Sequence, residues 1–318
     1  MYTHVRTCGR TGRLWWLGLC IVAAAALGAH APASAPGLRA PEIVRYASIS
    51  KWAPVFEGVE LLEASTQRPR PLQVRAARID LKAPGIRFIV TPPNGDAPGE
   101  VSGRTSMQFL EEFGCQLAIN ASFFRGPFRK GGPQDVVGLA ISRGERYSKP
   151  EQFAALLIRR DNSIWIDIPP WDGKQIAKAY HAAAGDTYLL KGGLILQDSM
   201  AKDSHAPFKQ HPRSAAGVTK DGRFLILMTI DGRQEGYSEG ANKVETAEWL
   251  RKLGAWDALN FDGGGSTNMV VQGPDGKPKL VNHPYSNWLR PCASHLGVYA
   301  RPLDAKAPHG SRPSTAPP

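Results

Sequence analysis

Cysteine is scarce: four in 318 residues, and two of them, Cys8 and Cys20, fall in the first twenty positions. No Cys/His spacing of the zinc-binding kind occurs. No Gly-x-Ser-x-Gly elbow is present, which argues against an α/β-hydrolase nucleophile. No Gly-Lys-Ser/Thr follows a glycine-rich loop, so the chain has no Walker phosphate site. No apolar run reaches membrane-spanning length. Zinc fingers, RNA-binding aromatic signatures and basic amphipathic helices are all missing. This excludes nucleic acid as the expected partner, even with a formal net charge of +11.

Charge and signal do stand out at the N-terminus. Arg6, Arg10 and Arg13 precede an apolar run from Leu14 to Gly28, and small residues follow. This is the pattern of a secretory signal. Ala31-Pro32-Ala33 fits cleavage before Ser34, and Leu19 makes the stretch before Cys20 a poor lipobox. We expect residues 1–33 to be a signal peptide, with no stable membrane span after its removal and a periplasmic or secreted location; an uncleaved signal would instead leave the protein membrane-anchored. Residues 34–50 read as an Ala/Pro-rich linker, 51–301 as one domain and 302–318 as a disordered tail. In an oxidising compartment the remaining pair, Cys115 and Cys292, is a candidate disulfide.

Glycine and proline are plentiful, at 33 and 26 residues, and predict many turns and short strands. Alternating runs such as Leu72–Leu81 and Phe224–Ile230 read as strands. Lys220-Asp221-Gly222-Arg223 reads as a hairpin turn between two of them. Two capping boxes, Thr105 with Gln108 and Asn242 with Glu245, start two helices that stop at Gly114 and Gly254. Each helix feeds a buried strand that ends in polar residues. The expected class is α+β: a single domain with a large mixed β-sheet core and a few helices.

The stretch Asp262-Gly263-Gly264-Gly265-Ser266-Thr267 stands where one such strand ends. Glycines let backbone N–H groups approach a ligand, and successive N–H groups form an anion-binding nest. A carboxylate beside such a nest suits a phosphate-bearing substrate. The same stretch also reads as a tight turn between buried strands. Three further polar clusters lie at strand ends: Asn120 to Phe124, Pro212-Arg213-Ser214 and Asp231-Gly232-Arg233. Clustered Asp and Asn oxygens are also the ligand type of Ca²⁺ or Mg²⁺, so a divalent cation is an open expectation and no cofactor is assigned.

Ala118-Ile119-Asn120-Ala121-Ser122-Phe123-Phe124, Pro212-Arg213-Ser214-Ala215-Ala216-Gly217, Asp231-Gly232-Arg233, Asn242 to Leu250 and Asn260 to Ser266 occur in an order and spacing that resembles the phosphodiester glycosidase family. Where members often have Gly-Gly or Gly-Asp, this chain has Ala121-Ser122. The resemblance implies hydrolysis of a sugar-1-phosphodiester, here in envelope or extracellular polysaccharide. The leaving phosphomonoester has a second pKa near about 6, so it needs cationic and N–H stabilisation more than proton donation. Arg213 is the expected bidentate phosphate contact, joined by Asn120 and by Gly263, Gly264, Gly265, Ser266 and Thr267. A carboxylate must stabilise the oxocarbenium-like centre or activate water: Asp262 first, Asp231 second, Glu245 third. A non-catalytic glycan-binding domain is the alternative, and a Ser266–His295 serine hydrolase a third reading.

Overall fold

The computed structural model describes residues 44–196 and 209–303. The expected signal peptide, the first part of the linker and nearly all of the tail lie outside these residues. The end of the expected linker is part of the fold, because Ser48–Ile49 pairs with Val59–Thr66. No helix of the described residues is long and apolar enough to cross a membrane.

The described strands form four sheets. The largest has nine strands, with a middle ordered Val59–Thr66, Leu72–Asp80, Phe224–Ile230, Arg213–Thr219, Ala255–Asn260 and Thr187–Lys191. A five-stranded sheet carries Met269–Gln272, Leu117–Asn120, His295–Tyr299 and Arg87–Val90 in adjacent positions. A second five-stranded sheet centres on His181–Gly185 and Ala154–Ile158, and three short strands make the fourth. The pairings are antiparallel, so the single mixed sheet expected from the sequence is instead a set of antiparallel sheets. The cause is connection length. Tight turns such as Lys220 to Arg223 return the chain beside itself, whereas parallel pairing needs a long crossover.

Residues 224–230 show how the pattern sorts faces. Leu225 and Leu227 join the core shared with the five-stranded sheets, where Ile119, Leu156, Leu259, Met269 and Leu296 also meet. Ile226, Met228 and Ile230 face the other way, beneath Ala247, Trp249 and Leu250 of the helix Lys243–Lys252. Residues two apart share a face, so strict alternation buries both sides of a central strand. The helix Ser106–Phe113 covers the outer face of its sheet in the same way, through Phe109 and Leu110 against Ile89, Ala118 and Val270. Both capping boxes form as expected, and Gly114 ends the first helix at φ 61°.

Cys115 and Cys292 are both buried and both free. The disulfide expected from their even number does not form. Cys115 packs with Phe109 and Leu110 as a small apolar residue.

Candidate active site

The chain leaves the nine-stranded sheet at Asn260 and enters a five-stranded sheet at Met269. The glycine stretch is the bridge between the two. Phe261 N–H donates to Ser214 O (2.9 Å) and Asp262 N–H to Ala121 O (2.8 Å), one contact to each sheet's neighbourhood. Asn120 locks the bridge. Its Nδ2 donates to Asp262 O (2.7 Å), while its Oδ1 accepts from Ser214 Oγ (2.6 Å) and Asn268 N–H (3.1 Å). Asn120 is buried and its amide is spent on protein atoms. It positions Asp262 rather than gripping substrate as expected.

The nest of N–H groups does not form either. Gly264 N–H donates to Pro212 O (2.9 Å), Ser266 N–H to Gly263 O (3.2 Å) and Thr267 N–H to Gly264 O (3.3 Å), which winds Gly264–Ser266 into a 3-10 turn. The glycines serve close approach. A Cβ at Gly263 would lie 2.6 Å from Pro212 O, one at Gly264 3.0 Å from Arg233 Nη2, and one at Gly265 2.4 Å from Arg290 Nη2. The stretch reads as a nest in sequence, but in three dimensions two guanidiniums press against it.

A cavity of about 220 Å³ opens on this loop, lined among others by Asp262, Asp186, Arg213, Arg233, Lys243 and Arg290. Asp186, Lys243 and Arg290 were not foreseen as site residues, and Arg233 was foreseen only as part of the Asp231-Gly232-Arg233 cluster. Asp186 follows Gly185, where a Cβ would collide with Asn260 O at 2.2 Å. Its carboxylate accepts from Lys243 Nζ (2.9 Å) and from Asn260 Nδ2 (2.9 Å). The alanine run before it has no clear period, which hid this strand end. Lys243 sits buried in a helix's first turn, where the dipole disfavours a cation, and that mismatch was the available signal. Arg233 adopts φ 60°, in the region that non-glycine residues seldom occupy. Arg290 stacks over Phe128 at 4.4 Å, and its buried Nε has no hydrogen-bond partner.

Arg213 is buried and lines the cavity. Its Nε donates to Ala241 O (2.8 Å) and its Nη2 to Lys209 O (3.1 Å). That edge of the fork is therefore occupied, and the bidentate grip falls to Arg233 and Arg290.

The other two carboxylate candidates do not line the cavity. Asp231 accepts from Asn282 Nδ2 (2.9 Å) and from His283 N–H (3.1 Å). This pins the segment that follows Leu280. Glu245 closes its capping box by accepting from Asn242 N–H (2.9 Å) and pairs with Arg70. Both are structural. Thr267 is buried and also off the cavity. His295 stacks on Phe109 with ring centroids 4.8 Å apart, and burial drives its pKa down to about 3. Neither ring nitrogen has a partner, so Ser266 has no base there and the serine-hydrolase reading falls.

Asp262 is the most perturbed group lining the cavity. Burial raises its pKa from 3.8 to about 7, against the opposing pull of the Ser266 hydrogen bond and the Arg290 charge, while Asp186 adds to the rise. A carboxyl poised near neutrality beside a second, salt-bridged carboxylate is an acid–base arrangement. No group of three or more His, Cys, Asp or Glu side chains among the described residues could hold a metal ion. Four cationic side chains at the cavity also oppose a divalent cation.

A family profile described as phosphodiester glycosidase matches residues 113–299, more than half of the chain. The N-acetylglucosamine-1-phosphodiester alpha-N-acetylglucosaminidase of Bos taurus is 28% identical over 206 residues, which is 58% of this chain and 37% of that protein. This chain thus spans well under half of that relative's length. The zebrafish catalytic domain of the same name, auto-inhibited by its pro-peptide, superposes with a TM-score of 0.59 at 21% identity, over 80% of this chain and 89% of that one. A Burkholderia pseudomallei protein described as exported superposes with a TM-score of 0.54 at 18% identity, over 72% and 74%. Together with the Asn120–Asp262 bridge, these likenesses assign the chain: it belongs to the phosphodiester glycosidase family.

Proposed function

We propose that this protein hydrolyses the bond between a sugar's anomeric carbon and the phosphate of a sugar-1-phosphodiester. The observation that carries the proposal is one cavity holding Asp262, with its pKa near 7, against Arg233 and Arg290, whose Nε is buried and unpartnered. Both guanidiniums line the cavity, and a phosphodiester oxygen there accepts from them in charge-assisted geometry. The anomeric C–O bond breaks with its electron pair passing to the phosphate oxygen, where Arg233 and Arg290 offset the growing charge. Asp262, deprotonated, takes a proton from water, and the water oxygen ends on the anomeric carbon. Asp186, oriented by Lys243 and Asn260, faces the developing cationic centre.

The rim suits a sugar. Phe128, Tyr285 and Trp288 are exposed aromatics, and Arg233 stacks over Tyr285 at 5.1 Å. Tyr285 and Trp288 line a small hollow that shares Gly265 and Arg290 with the cavity. An aromatic face presents an apolar surface to a pyranose. The signal pattern of residues 1–33 supports a substrate outside the cytoplasm, and we take it to be an envelope or extracellular polysaccharide bearing phosphodiesters.

The test is release of free sugar and phosphomonoester from N-acetylglucosamine-1-phospho-methyl diester by wild type, Asp262→Asn and Arg290→Ala. Release by wild type that both variants lose supports the reading. Glycan binding without release from any of a panel of sugar-1-phosphodiesters would overturn it in favour of a binding domain.

A further inference from the structure

We propose a second anion site, at the opposite end of the same strands, that takes a phosphate group. A cavity of about 320 Å³ is lined by Arg87, Arg143, Arg159, Arg160, Asn162 and Tyr180, among others. His181 is also at its wall, and the strand His181–Gly185 runs from this cavity to Gly185, next to Asp186 in the candidate active site. Likewise the strand His295–Tyr299 has Tyr299 here and His295 beside Asn120. Along five residues a strand covers roughly 13 Å, so the two cavities are separate.

Charge distinguishes this cavity. Four guanidiniums line it and no carboxylate does. None of the four makes an ion pair among the described residues. The adjacent Asp161 does not line the cavity: it accepts from Ser163 N–H (2.9 Å) and Ser163 Oγ (2.7 Å), and its charge acts on Arg159 alone of the four. Like charges gathered without counter-charge repel one another, and a bound anion relieves this. His181 stays neutral, since burial and the nearby arginines depress its pKa to about 4.

The guanidiniums are also held in place. Arg160 stacks on Tyr180 at 3.9 Å, Arg159 on Trp165 at 4.3 Å and Arg87 on Tyr299 at 5.1 Å. Stacking engages the faces of the fork and leaves in-plane N–H donors for an acceptor; of these, Arg159 Nη1 already donates to Ser163 Oγ (3.2 Å). Arg143 and Asn162 both adopt positive φ, at 54° and 65°, and both are tied down: Arg143 N–H donates to His181 Nδ1 (3.3 Å) and Asn162 Nδ2 to Ile86 O (2.8 Å). A concave cavity of this volume is at the small end of ligand pockets. It admits a phosphate with about one sugar, not a duplex.

The test is calorimetric titration of wild type, Arg143→Gln/Arg160→Gln and Arg290→Gln with inorganic phosphate, glucose 6-phosphate and glucose. We expect one phosphate-binding step, distinct from any at Arg290, to weaken at least tenfold in the double variant and to persist in Arg290→Gln. Glucose should not bind at this site. Glucose 6-phosphate binding tenfold tighter than inorganic phosphate would mark the ligand as a sugar-borne phosphate, and equal binding would mark it as free phosphate. Phosphate affinity unchanged in a double variant of wild-type melting temperature would overturn the proposal. The site does not depend on the proposed hydrolysis, because titration reads it whether or not the protein turns over a diester.

Discussion

The two cavities are built from similar parts and differ in one ingredient. Both hold arginines stacked on aromatic rings, and both include a non-glycine residue at positive φ. The cavity at the glycine loop adds two carboxylates, Asp186 and Asp262, while the basic cavity has none. Cations alone bind an anion and leave it unchanged. Cations set against a carboxyl that titrates near neutrality can bind it and also move a proton. The difference separates a site suited to chemistry from one suited to holding.

The largest effect that would break this contrast is at Asp262. Asp262→Asn keeps the shape and removes the base. We expect kcat on the methyl diester to fall by about 10²–10⁴, whereas Arg143→Gln should change it less than about twofold. Equal losses in both would erase the distinction. Next, Arg290→Ala should lower kcat/KM by roughly 10²–10³, the scale of losing one preorganised electrostatic contact. Steady-state kinetics on folded protein decides both.

The pH dependence sharpens the assignment. A base with a pKa of about 7 must be deprotonated to act, so kcat/KM should rise with pH through about 7 and level above it. Stability has the opposite slope. The folded-state pKa of Asp262 lies above its unfolded value, so the native state binds the extra proton between about pH 4 and 7 and loses stability across that window as pH rises. Asp262→Asn should therefore melt higher than wild type at pH 8. The gain should be about 1–2 kcal/mol, less than the roughly 4 kcal/mol of an undiscounted three-unit shift, because the carboxyl opens onto a solvent-filled cavity. A lower melting temperature for the variant would contradict the raised pKa of this carboxyl.

Asn120→Ala should behave differently again. It deletes three buried hydrogen bonds from the bridge and should cost about 2–4 kcal/mol of stability while also lowering activity. Asp262→Asn lowers activity while raising stability at pH 8. The smallest expected effect is that of a chelator, which should leave release unchanged within error. A chelator-sensitive enzyme would mean that the carboxylates hold a cation despite the four basic side chains.

Local chemistry made much of the fold readable in advance. Thr105 with Gln108 and Asn242 with Glu245 announced both longer helices, and Gly114 announced an end. Alternation across 72–80 and 224–230 announced central strands, and the motif order carried the family. The fold was less legible where the pattern is featureless. The run His181–Gly185 is mostly alanine, which suits helix and strand alike, and the strand Pro133–Val136 lies among turn-forming residues.

At the site, the residues of the motifs were legible but their roles were not. Asn120 and Glu245 look like functional polar residues in a list, yet each is consumed by partners far along the chain, Asp262 O at one and Arg70 at the other. Asp186 and Arg290 stand outside every motif and reach the cavity only because antiparallel registry brings Thr187 opposite Asn260 and because the segment after Asn282 folds back over Gly265. By itself the sequence determined the strand-rich class, the starts of the two capped helices and the family, since these depend on near neighbours or on motif order. Tertiary structure alone decided which carboxylates face one another, which arginines remain available to a ligand, and that two cysteines stay apart, since these depend on distances between residues far apart in the chain.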